Sequence, residues 1–571
     1  MPHGRASLVF MLVAIVGTVV EPRPPLFSTG PIVAPLSTPS GFDVADSTAL
    51  ATNLAQALGG ARPTFLRNDE WLTVRRLYRW TSTTKASSAL SVDVYRLAAR
   101  ASELVAVVDS VETVGLRPTD YGVDRLRSAV RAATSATTSD SAGVAAFANA
   151  DLLLTSSFVS LVDDLLTGRV DPREVEPTWH IAPRAFDVAA RVAEAFESVR
   201  AGQPLRDVLA GLRPDYGSYG ALVQALSHYR ELVRAGGWPA LPNGPVLRPN
   251  DVGLNVVLLR QRLAAEGYLA SAAGSDTLDA TAASAVAEFQ HRHGLTADSV
   301  VGPRTRAALD IPAERRVRQI EANLERLRWL PPVPGERFVV VNVPAFVLYA
   351  FDGRNRVLDM RVVVGDELAS RRTPIFADTM QYLEFGPYWN VPRSIAVNEI
   401  LPQARRDRGY LTRNRYQILR GWGDNAPVVD PSRLSNVELF STRYRVRQLP
   451  GPWNALGRVK FMFPNDYAVY LHDTPSKALF DESHRAHSHG CVRVSDPGAL
   501  AAFVLQGRAD WPPERIAATL AKAPHLRVNL QHGPPVYLVY LTAFGRDGQV
   551  LFRDDIYNRD TQLLRALARP H

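Results

Sequence analysis

The spacing of apolar residues divides the chain into a helical first half and a strand-rich second half. Between about 43 and 240, Ala, Leu and Val recur at the helical period, as in Val144 to Leu166, which predicts a helical domain. Turns that contain Gly and Pro separate its helices. This half shows no catalytic constellation, and His180, beside Trp179, is interpreted as a packed histidine rather than a ligand. We therefore predict a helical scaffold domain over 43–240.

A second and smaller helical pattern follows a Pro- and Gly-rich break at 241–250. Its apolar positions fall on one face of each of two helices and lead into a third near Thr305, so that a compact three-helix module is predicted over 251–310. A charged helix from Glu314 to Arg328 then leads to the next domain. The apolar positions of the first two helices are Val256, Leu259, Leu263, Ala282, Ala285, Val286 and Phe289.

From residue 337 the pattern changes to short runs of β-branched and apolar residues. Asp352-Gly353 between two of these runs predicts a hairpin, and the spacing of the runs predicts a β-sandwich-like domain over 337–500. Residues 501–571 are predicted to form a helix and strand extension. The fold class is therefore an α+β multidomain protein.

An arginine-rich stretch at 403–452 interrupts this strand pattern and has few apolar strands. A long insertion in a compact domain is often a lid or a binding loop. The alternative is a solvated surface loop without a gating role.

The amino terminus has the pattern of an export signal. An apolar run from Leu8 to Val20 is short for a membrane span and suits a signal core. We expect a signal peptide or an uncleaved membrane anchor over 1–21 and a Pro-, Ser- and Thr-rich linker over 22–42. These features predict an exported protein of the periplasm or cell envelope.

Composition narrows the choice of partner. The chain has 571 residues, 46% of them hydrophobic, and a formal charge of +8, which predicts several domains with their own cores and an anionic partner. Nucleic acid is not favoured, because no zinc finger, helix-turn-helix or aromatic RNA-binding motif is found. A single cysteine excludes a disulfide framework.

That cysteine, Cys491, lies in the most distinctive stretch of the chain, Ser488-His489-Gly490-Cys491-Val492-Arg493. His472 follows a predicted strand upstream, with a polar loop between the two. A thiol becomes a nucleophile when a nearby base favours the thiolate, and His472 can serve as that base. Backbone N–H groups near Gly490 and Cys491 are candidates to hold a developing oxyanion.

Residues 337–500 resemble the L,D-transpeptidase catalytic (YkuD) domain family, whose pattern is a histidine, a spacer and Ser/Thr-His-Gly-Cys. Arg493 stands where that family often has Asn. Together with the helical scaffold, the module and the insertion, it resembles the large YcbB-like periplasmic subgroup. The module at 251–310 is similar to the peptidoglycan-binding type 1 family through Gly294-Leu295 and Val301 to Thr305, although Ser299 replaces a frequent glycine.

The resemblance implies an enzyme that joins peptidoglycan stem peptides and needs no cofactor. It gives Cys491 as nucleophile, His472 as base, and the carbonyl of Asp473 as the group that orients the imidazole. The implied donor is a tetrapeptide stem that loses D-alanine, the acceptor is the side-chain amine of diaminopimelate, and the product is a 3→3 cross-link. Module 251–310 would attach the enzyme to peptidoglycan.

Four further residues are candidates for contact with the substrate. Ser488 and His489 adjoin the nucleophile, and His489 has a structural alternative. Arg493 would hold a substrate carboxylate or shape the oxyanion region, or else form a local ion pair. Trp389 would line the cleft or belong to a core.

Two other classes of protein remain alternatives. Zinc could be held by Cys491 and nearby histidines, in a metal-dependent wall peptidase, although no general-base carboxylate is obvious there. The histidines concerned are His472, His484, His487 and His489. The third class is a non-catalytic protein that binds the wall, against which the intact pair of nucleophile and base argues.

Overall fold

The computed structural model describes residues 44–78, 100–135, 141–182, 187–273, 275–331, 336–407, 409–423, 425–435, 438 and 441–570. The predicted export segment and its linker lie outside these residues.

The first half is helical, as its apolar periodicity predicts. Its apolar faces meet in one hydrophobic core, which is where most of the stability of such helices arises. One short strand, β1 (Trp179–His180), interrupts the helices and was not predicted. The helices are α1 (Val44–Gly59), α2 (Asn68–Leu77), α3 (Ala101–Asp109), α4 (Val123–Ser135), α5 (Ser141–Thr167), α6 (Pro172–Val175), α7 (Val188–Arg200), α8 (Leu205–Leu212) and α9 (Gly217–Arg234).

Helix α5 is the centre of this domain. Among the described helices, it alone is long and apolar enough to cross a membrane by length and composition, and 72% of its most apolar window is buried inside the protein. Several of its polar side chains are buried and paired. Asp164 accepts a hydrogen bond from the Tyr121 hydroxyl at 2.8 Å and pairs with Arg67 at 3.0 Å. These features are those of a core helix.

The buried carboxyl group of Asp151 on α5 gives this domain a pH-dependent stability. Burial raises its pKa from 3.8 to about 7, against the hydrogen bond that Oδ2 accepts from the Tyr78 hydroxyl. The folded chain therefore holds this proton more tightly than the unfolded chain. The stabilisation is complete below pH 3.8 and is lost as the pH rises through about 7.

We expect the free energy of unfolding to fall between pH 4 and pH 8 by up to about 4 kcal/mol more in the wild type than in Asp151→Asn. Urea unfolding followed by helical circular dichroism measures both proteins at each pH. All other titrating groups are common to the two proteins, so the difference between their free energies of unfolding at each pH isolates the contribution of Asp151. Parallel pH profiles would contradict the prediction.

The small module has the predicted three helices, α10 (Leu254–Ala265), α11 (Ala280–Arg292) and α12 (Pro303–Leu309). They enclose a hydrophobic core of their own, separate from the main core. The predicted charged helix is α13 (Ala313–Trp329). It packs against α9 and joins the module to the strand-rich half.

The strand-rich half contains a twelve-stranded, mixed sheet in the order β1-β5-β16-β2-β3-β4-β14-β12-β11-β6-β15, with β13 paired to β4. Its strands are β2 (Arg337–Asn342), β3 (Val347–Asp352), β4 (Asn355–Gly365), β5 (Ile375–Thr379), β6 (Tyr382–Phe385), β11 (Val459–Met462), β12 (Leu471–His472), β13 (Ala486–Ser488), β14 (Val492–Val494), β15 (Leu526–Asn529) and β16 (Pro535–Val539). The predicted hairpin at Asp352-Gly353 joins β3 to β4. The sheet runs past the predicted boundary at residue 500, because β15 and β16 belong to it.

The insertion forms a small sheet of its own, with strands in the order β7-β10-β8-β9. It begins at Trp389, before the predicted 403, and contains strands that the prediction lacked. Its core is closed by residues that include Ile395, Ile418 and Val446. Its elements are β7 (Trp389–Asn390), α14 (Arg393–Ile395), a π-helical turn (Ala396–Ile400), α15 (Leu401–Arg406), α16 (Tyr410–Arg413), β8 (Tyr416–Arg420), β9 (Val428–Val429) and β10 (Tyr444–Gln448).

The last part of the chain ties the domains together. It contains α17 (Pro497–Leu505), α18 (Pro513–Lys522), the hairpin β17 (Ala543–Arg546) and β18 (Gln549–Phe552), and α19 (Arg559–Leu567). The carbonyl of Val550 in the hairpin accepts a hydrogen bond from Arg292 of the small module at 3.2 Å. The carbonyl of Leu567 accepts one from Arg169 of the helical domain at 2.7 Å.

Candidate active site

Two neighbouring parallel strands bring the candidate base, His472, and the candidate nucleophile, Cys491, onto one face of the sheet. Strand β12 pairs with β14 so that Leu471 lies beside Val492 and His472 lies beside Arg493. The Val492 N–H donates to the carbonyl of Tyr470 at 3.1 Å, which extends the register to Cys491. Leu471 and Val492 are fully buried in the core.

Because side chains alternate along a strand, Tyr470, His472, Cys491 and Arg493 project from the opposite face as a two-by-two block. Neighbouring members are about 4.8 Å apart between the strands and about 6.6 Å apart along each strand at Cα. His472 is therefore diagonal to Cys491, on the same side of the sheet. The sequence predicted the strand end at His472 but not this pairing.

The ring of His472 is held in one tautomer. Its Nδ1 lies 2.5 Å from the backbone oxygen of Asp473, and because a carbonyl can only accept, Nδ1 carries the proton. Nε2 of the neutral ring is then a free base. Burial, and next the charge of Arg493, lower the pKa of His472 to about 3, so the imidazole is neutral at physiological pH.

The side chain of Asp473 has a different task from its carbonyl. Oδ2 accepts a hydrogen bond from the Arg458 N–H at 2.8 Å, and Oδ1 pairs with Lys477 at 2.6 Å. The carboxylate also packs against Gly457, where an added Cβ would lie 2.4 Å from its carbon. This carboxylate therefore fixes the loop that follows β12.

The thiol of Cys491 is half-buried and held by the segment before β12. Sγ lies 3.6 Å from the carbonyl oxygen of Ala468, and the backbone and hydroxyl of Tyr470 act on the sulfur in favour of the thiolate. Burial raises the pKa of the thiol to about 11, against these Tyr470 contacts and the charge of Arg493. The resting pair is therefore a thiol and a neutral imidazole rather than an ion pair.

This state predicts how the thiol reacts with an alkylating reagent. The thiolate is the reactive form, so the rate of iodoacetamide modification should rise steadily with pH and approach its plateau only near pH 11. Mass spectrometry reads the adduct without ambiguity, since the chain has one cysteine. A plateau reached below pH 8 would show a resting thiolate and contradict the prediction.

The turn between β13 and β14 is shaped by Ser488 and Gly490. The Ser488 hydroxyl donates to the carbonyl of Cys491 at 2.5 Å and accepts the Gly490 N–H at 3.1 Å. Gly490 has φ +115, a conformation that favours glycine. Because Ser488 is only 2% exposed and makes both of these hydrogen bonds, it stabilises the turn.

This turn changes the predicted oxyanion site. The Gly490 N–H is taken by Ser488, whereas no acceptor for the Cys491 N–H is recorded in the described part of the chain. The Cys491 N–H is therefore the better candidate of the two that the sequence suggested.

His489 faces the insertion. Its Nε2 lies 2.6 Å from Oε1 of Glu399, in the π-helical turn, and the same carboxylate oxygen lies 3.4 Å from Arg371. His489 is thus bound to the insertion as the structure defines it, at a residue that precedes the predicted lid-like stretch 403–452. Its structural alternative is the one that these contacts favour.

Arg493 and Trp389 differ in their surroundings. Within the described residues, the Nε of Arg493 is buried without an acceptor, and no ion pair of its side chain is found. The alternative of a local ion pair therefore finds no support there.

Trp389 pairs with Gln448 in the insertion sheet, and its ring lies 6.4 Å from that of Tyr416. Trp389 belongs to the insertion core rather than to the block around Cys491.

The histidines of the zinc alternative are directed to separate partners. His487 lies 2.8 Å from Glu482, His489 contacts Glu399, and His484 lies 3.7 Å from Glu367. Across the described residues, no three His, Cys, Asp or Glu side chains come close enough to hold a metal ion. Their placement does not make the ligand set that the zinc alternative requires.

Several residues that contact the turn between β13 and β14 were not predicted from the sequence. Thr373 donates from its hydroxyl to the carbonyl of Gly490 at 2.9 Å, and its N–H donates to the Tyr557 hydroxyl at 3.2 Å. Tyr557 in turn donates to the carbonyl of Gly365 at 2.6 Å. Tyr470 could have been predicted to share a face with His472, because it lies two residues before it on a strand. No local sequence pattern indicates the contacts of Thr373 or Tyr557.

Comparisons with known proteins agree with this domain order. Residues 336–516 match the L,D-transpeptidase catalytic domain (YkuD) family, residues 89–226 match the Scaffold domain family, and residues 252–309 match the family described as "Putative peptidoglycan binding domain".

A protein of Haemophilus influenzae named "Putative L,D-transpeptidase" is 35% identical over 246 residues, which cover 43% of this chain and 48% of that relative. The match thus spans about half the length of the relative. An L,D-transpeptidase structure from Xylanimonas cellulosilytica is 17% identical, with a TM-score of 0.16, over 52% of this chain and all of that one. The structure of the Ldtfm-avibactam carbamoyl enzyme is 10% identical, with a TM-score of 0.15, over 40% and 64%.

The fold and the family matches together define a multidomain protein with a strand-rich cysteine-containing catalytic domain. Residues 336–516 are thus similar to L,D-transpeptidase catalytic domains of the YkuD family, residues 252–309 to a putative peptidoglycan-binding domain, and residues 89–226 to the Scaffold domain family.

Proposed function

We propose that this protein is an L,D-transpeptidase that forms 3→3 cross-links in peptidoglycan through an acyl-enzyme on Cys491. The observation that carries the proposal is the block of Tyr470, His472, Cys491 and Arg493 on one face of two paired strands. It unites a candidate nucleophile, a neutral base, and a cation for which the described residues offer no acceptor.

In the first step, the sulfur of Cys491 attacks the carbonyl between the third and fourth residues of a tetrapeptide stem. Nε2 of His472 takes the thiol proton as the C–S bond forms, since both groups are neutral at rest. The Cys491 N–H holds the oxyanion, which is worth about 3 kcal/mol for one donor. When the intermediate collapses, His472 returns the proton to the amine, and D-alanine leaves.

In the second step, the side-chain amine of diaminopimelate on another stem attacks the thioester. His472 accepts a proton from the amine, and the thiolate leaves and is reprotonated. The Asp473 carbonyl holds Nδ1 throughout and stabilises the imidazolium that forms in each step. No oxidant, metal or cofactor is needed to balance either step.

Arg493 is proposed to bind a carboxylate of the donor stem. Its half-buried guanidinium lies beside the thiol and has no protein partner among the described residues, and guanidinium groups hold carboxylates through charge-assisted bonds. Arg493→Gln should raise KM for the tetrapeptide about tenfold or more. Steady-state kinetics measure this effect.

Arg361→Gln is the matched control for Arg493, because Arg361 is an exposed arginine on a neighbouring strand, with contacts to Phe480 and Asp481. Its KM should stay close to the wild-type value. An unchanged KM in Arg493→Gln would remove the assignment of Arg493 and leave the acyl transfer mechanism standing.

The small module is proposed to hold the enzyme on peptidoglycan, and the amino-terminal segment to export it to the periplasm or envelope, with an uncleaved membrane anchor as the alternative. The module also touches the catalytic domain. Arg304 lies 2.5 Å from the hydroxyl of Ser483, in the loop between His472 and Cys491. Wall attachment and catalysis are thus carried by domains in contact.

Incubation of the purified protein with disaccharide-tetrapeptide, followed by mass spectrometry, tests the function. The expected product is a dimer that has lost one D-alanine and is joined between two diaminopimelate residues. Activity that a chelator abolishes would instead support the metal peptidase, and retention on sacculi without any change in stem mass would support a wall-binding protein.

A further inference from the structure

The helical domain reaches the catalytic sheet through strand β1. Trp179 and His180 pair in parallel with Ile375 and Phe376 of β5. Trp179 is buried, with its ring 5.2 Å from that of Trp329, and the Thr178 hydroxyl accepts a hydrogen bond from Arg559 at 2.9 Å. The position of His180 is therefore set by contacts on both sides of β1.

The exposed His180 ring lies on an aromatic ring of the catalytic domain. It stacks on Tyr467, with the centroids 4.5 Å apart and the planes at 27°. Phe376 lies 5.2 Å from the same ring, so Tyr467 lies between a side chain of the helical domain and one of the sheet. Aromatic pairs with this spacing are attractive.

Tyr467 is the first residue of the segment 467–470, which contacts the sulfur of Cys491. The next residue, Ala468, has φ +54, a left-handed conformation that an alanine keeps only when its surroundings impose it. The Asn465 side chain supplies part of that constraint, since its oxygen accepts the N–H groups of Tyr467 and Val469 and its amide donates to the carbonyl of Val469.

Residues 467–470 supply two of the groups that act on the Cys491 sulfur, the third being the charge of Arg493. Ala468 offers its carbonyl at 3.6 Å, and Tyr470 offers its backbone and its hydroxyl. The Tyr470 contacts favour the thiolate, as does Arg493. A shift of the turn at 465–468 would therefore disturb the sulfur and its proton together.

We propose that His180 is a positioning residue for the nucleophile, and that the helical domain holds the thiol of Cys491 in its reactive position through the stack of His180 on Tyr467. The proposal extends the proposed function by giving the helical domain a part in the active site. It makes the reactivity of the thiol depend on contact between the domains.

The test compares His180→Ala with His180→Phe, which keeps a flat ring on Tyr467. His228→Ala is the matched control, because His228 is an exposed histidine of the same domain with an edge contact to Tyr229. The readout is the rate of iodoacetamide alkylation of Cys491 as a function of pH, with melting temperatures measured in parallel. No peptidoglycan is present, so failure of this proposal is distinct from failure of the proposed function.

His180→Ala should alkylate Cys491 about tenfold more slowly at neutral pH, and its pH profile should move to higher pH as the Tyr470 contacts loosen. His180→Phe and His228→Ala should match the wild type. Slow alkylation in both His180 variants, or wild-type rates in both, would overturn the proposal. If His180→Ala also has a lower melting temperature, the alkylation rate of His180→Phe still tests the proposal, because that variant keeps an aromatic ring on Tyr467.

Discussion

Cys491→Ala should lose the transfer of stem peptides almost completely, by about four orders of magnitude or more in kcat. The chain contains no second thiol, so no other cysteine can take over the acyl group. Turnover of disaccharide-tetrapeptide, followed by chromatography and mass spectrometry, measures the loss.

The fold of this variant should stay intact. The side chain removed is small, and the segment that contacts the sulfur is also held by the Asn465 hydrogen bonds. An unchanged melting temperature beside a lost activity separates chemistry from folding. Cys491→Ser should be nearly as inactive, because a hydroxyl is a far weaker nucleophile in this setting. Cross-linking by either variant would contradict the mechanism.

His472→Ala should lower kcat about a thousandfold, since general acid–base catalysis typically contributes about 10²–10⁴-fold to the rate. The neighbouring thiol has a raised pKa, of about 11, and so depends on a base to release its proton. Because the pKa of His472 is lowered to about 3, the base stays available as the pH falls through 6.5. The acid side of the pH–rate profile should therefore show no inflection near pH 6.5.

His487→Ala is the matched control for this variant. His487 lies in the same connecting region, but its ring is directed to Glu482 and the carbonyl of His484. Its loss should change kcat by less than about twofold. Equal losses in the two histidine variants would contradict the assigned base and would return attention to the zinc alternative, which uses both residues.

Local patterns were sufficient for much of this structure. The helical period gave the scaffold and the small module, and the turn signal at Asp352-Gly353 gave the hairpin of β3 and β4. His472 could be placed at a strand end, because an apolar run stops there. The motif around Cys491 singled out Gly490, which the structure places in a turn at φ +115.

Contacts between distant parts of the chain could not be predicted in this way. Strand β16 enters the sheet between β5 and β2, and β1 reaches its edge from the helical domain, although neither segment carries a local sign of its partner. The insertion was predicted to begin too late in the chain, because the short strand Trp389–Asn390 pairs with Gln448 and Arg447, almost 60 residues further on. Tyr557 reaches the catalytic turn through Thr373, from beyond the predicted boundary of the domain.

The domains share contacts that give the site its shape. His489 is bound by Glu399 of the insertion, Tyr467 is covered by His180 of the helical domain, and Arg304 of the small module reaches Ser483. Each of these contacts involves a residue between 467 and 491, the stretch that carries His472 and Cys491. The surrounding domains are therefore expected to influence thiol reactivity as well as attachment to the wall.

The most direct test of the acyl-enzyme is the intact mass of the protein during turnover. The wild-type chain, mixed with tetrapeptide donor that lacks a free acceptor amine and quenched in acid, should gain the mass of the donor minus D-alanine. Proteolysis should place this adduct on the peptide that contains Cys491. Cross-linked product formed with no adduct on that peptide, or with an adduct on another residue, would contradict the account.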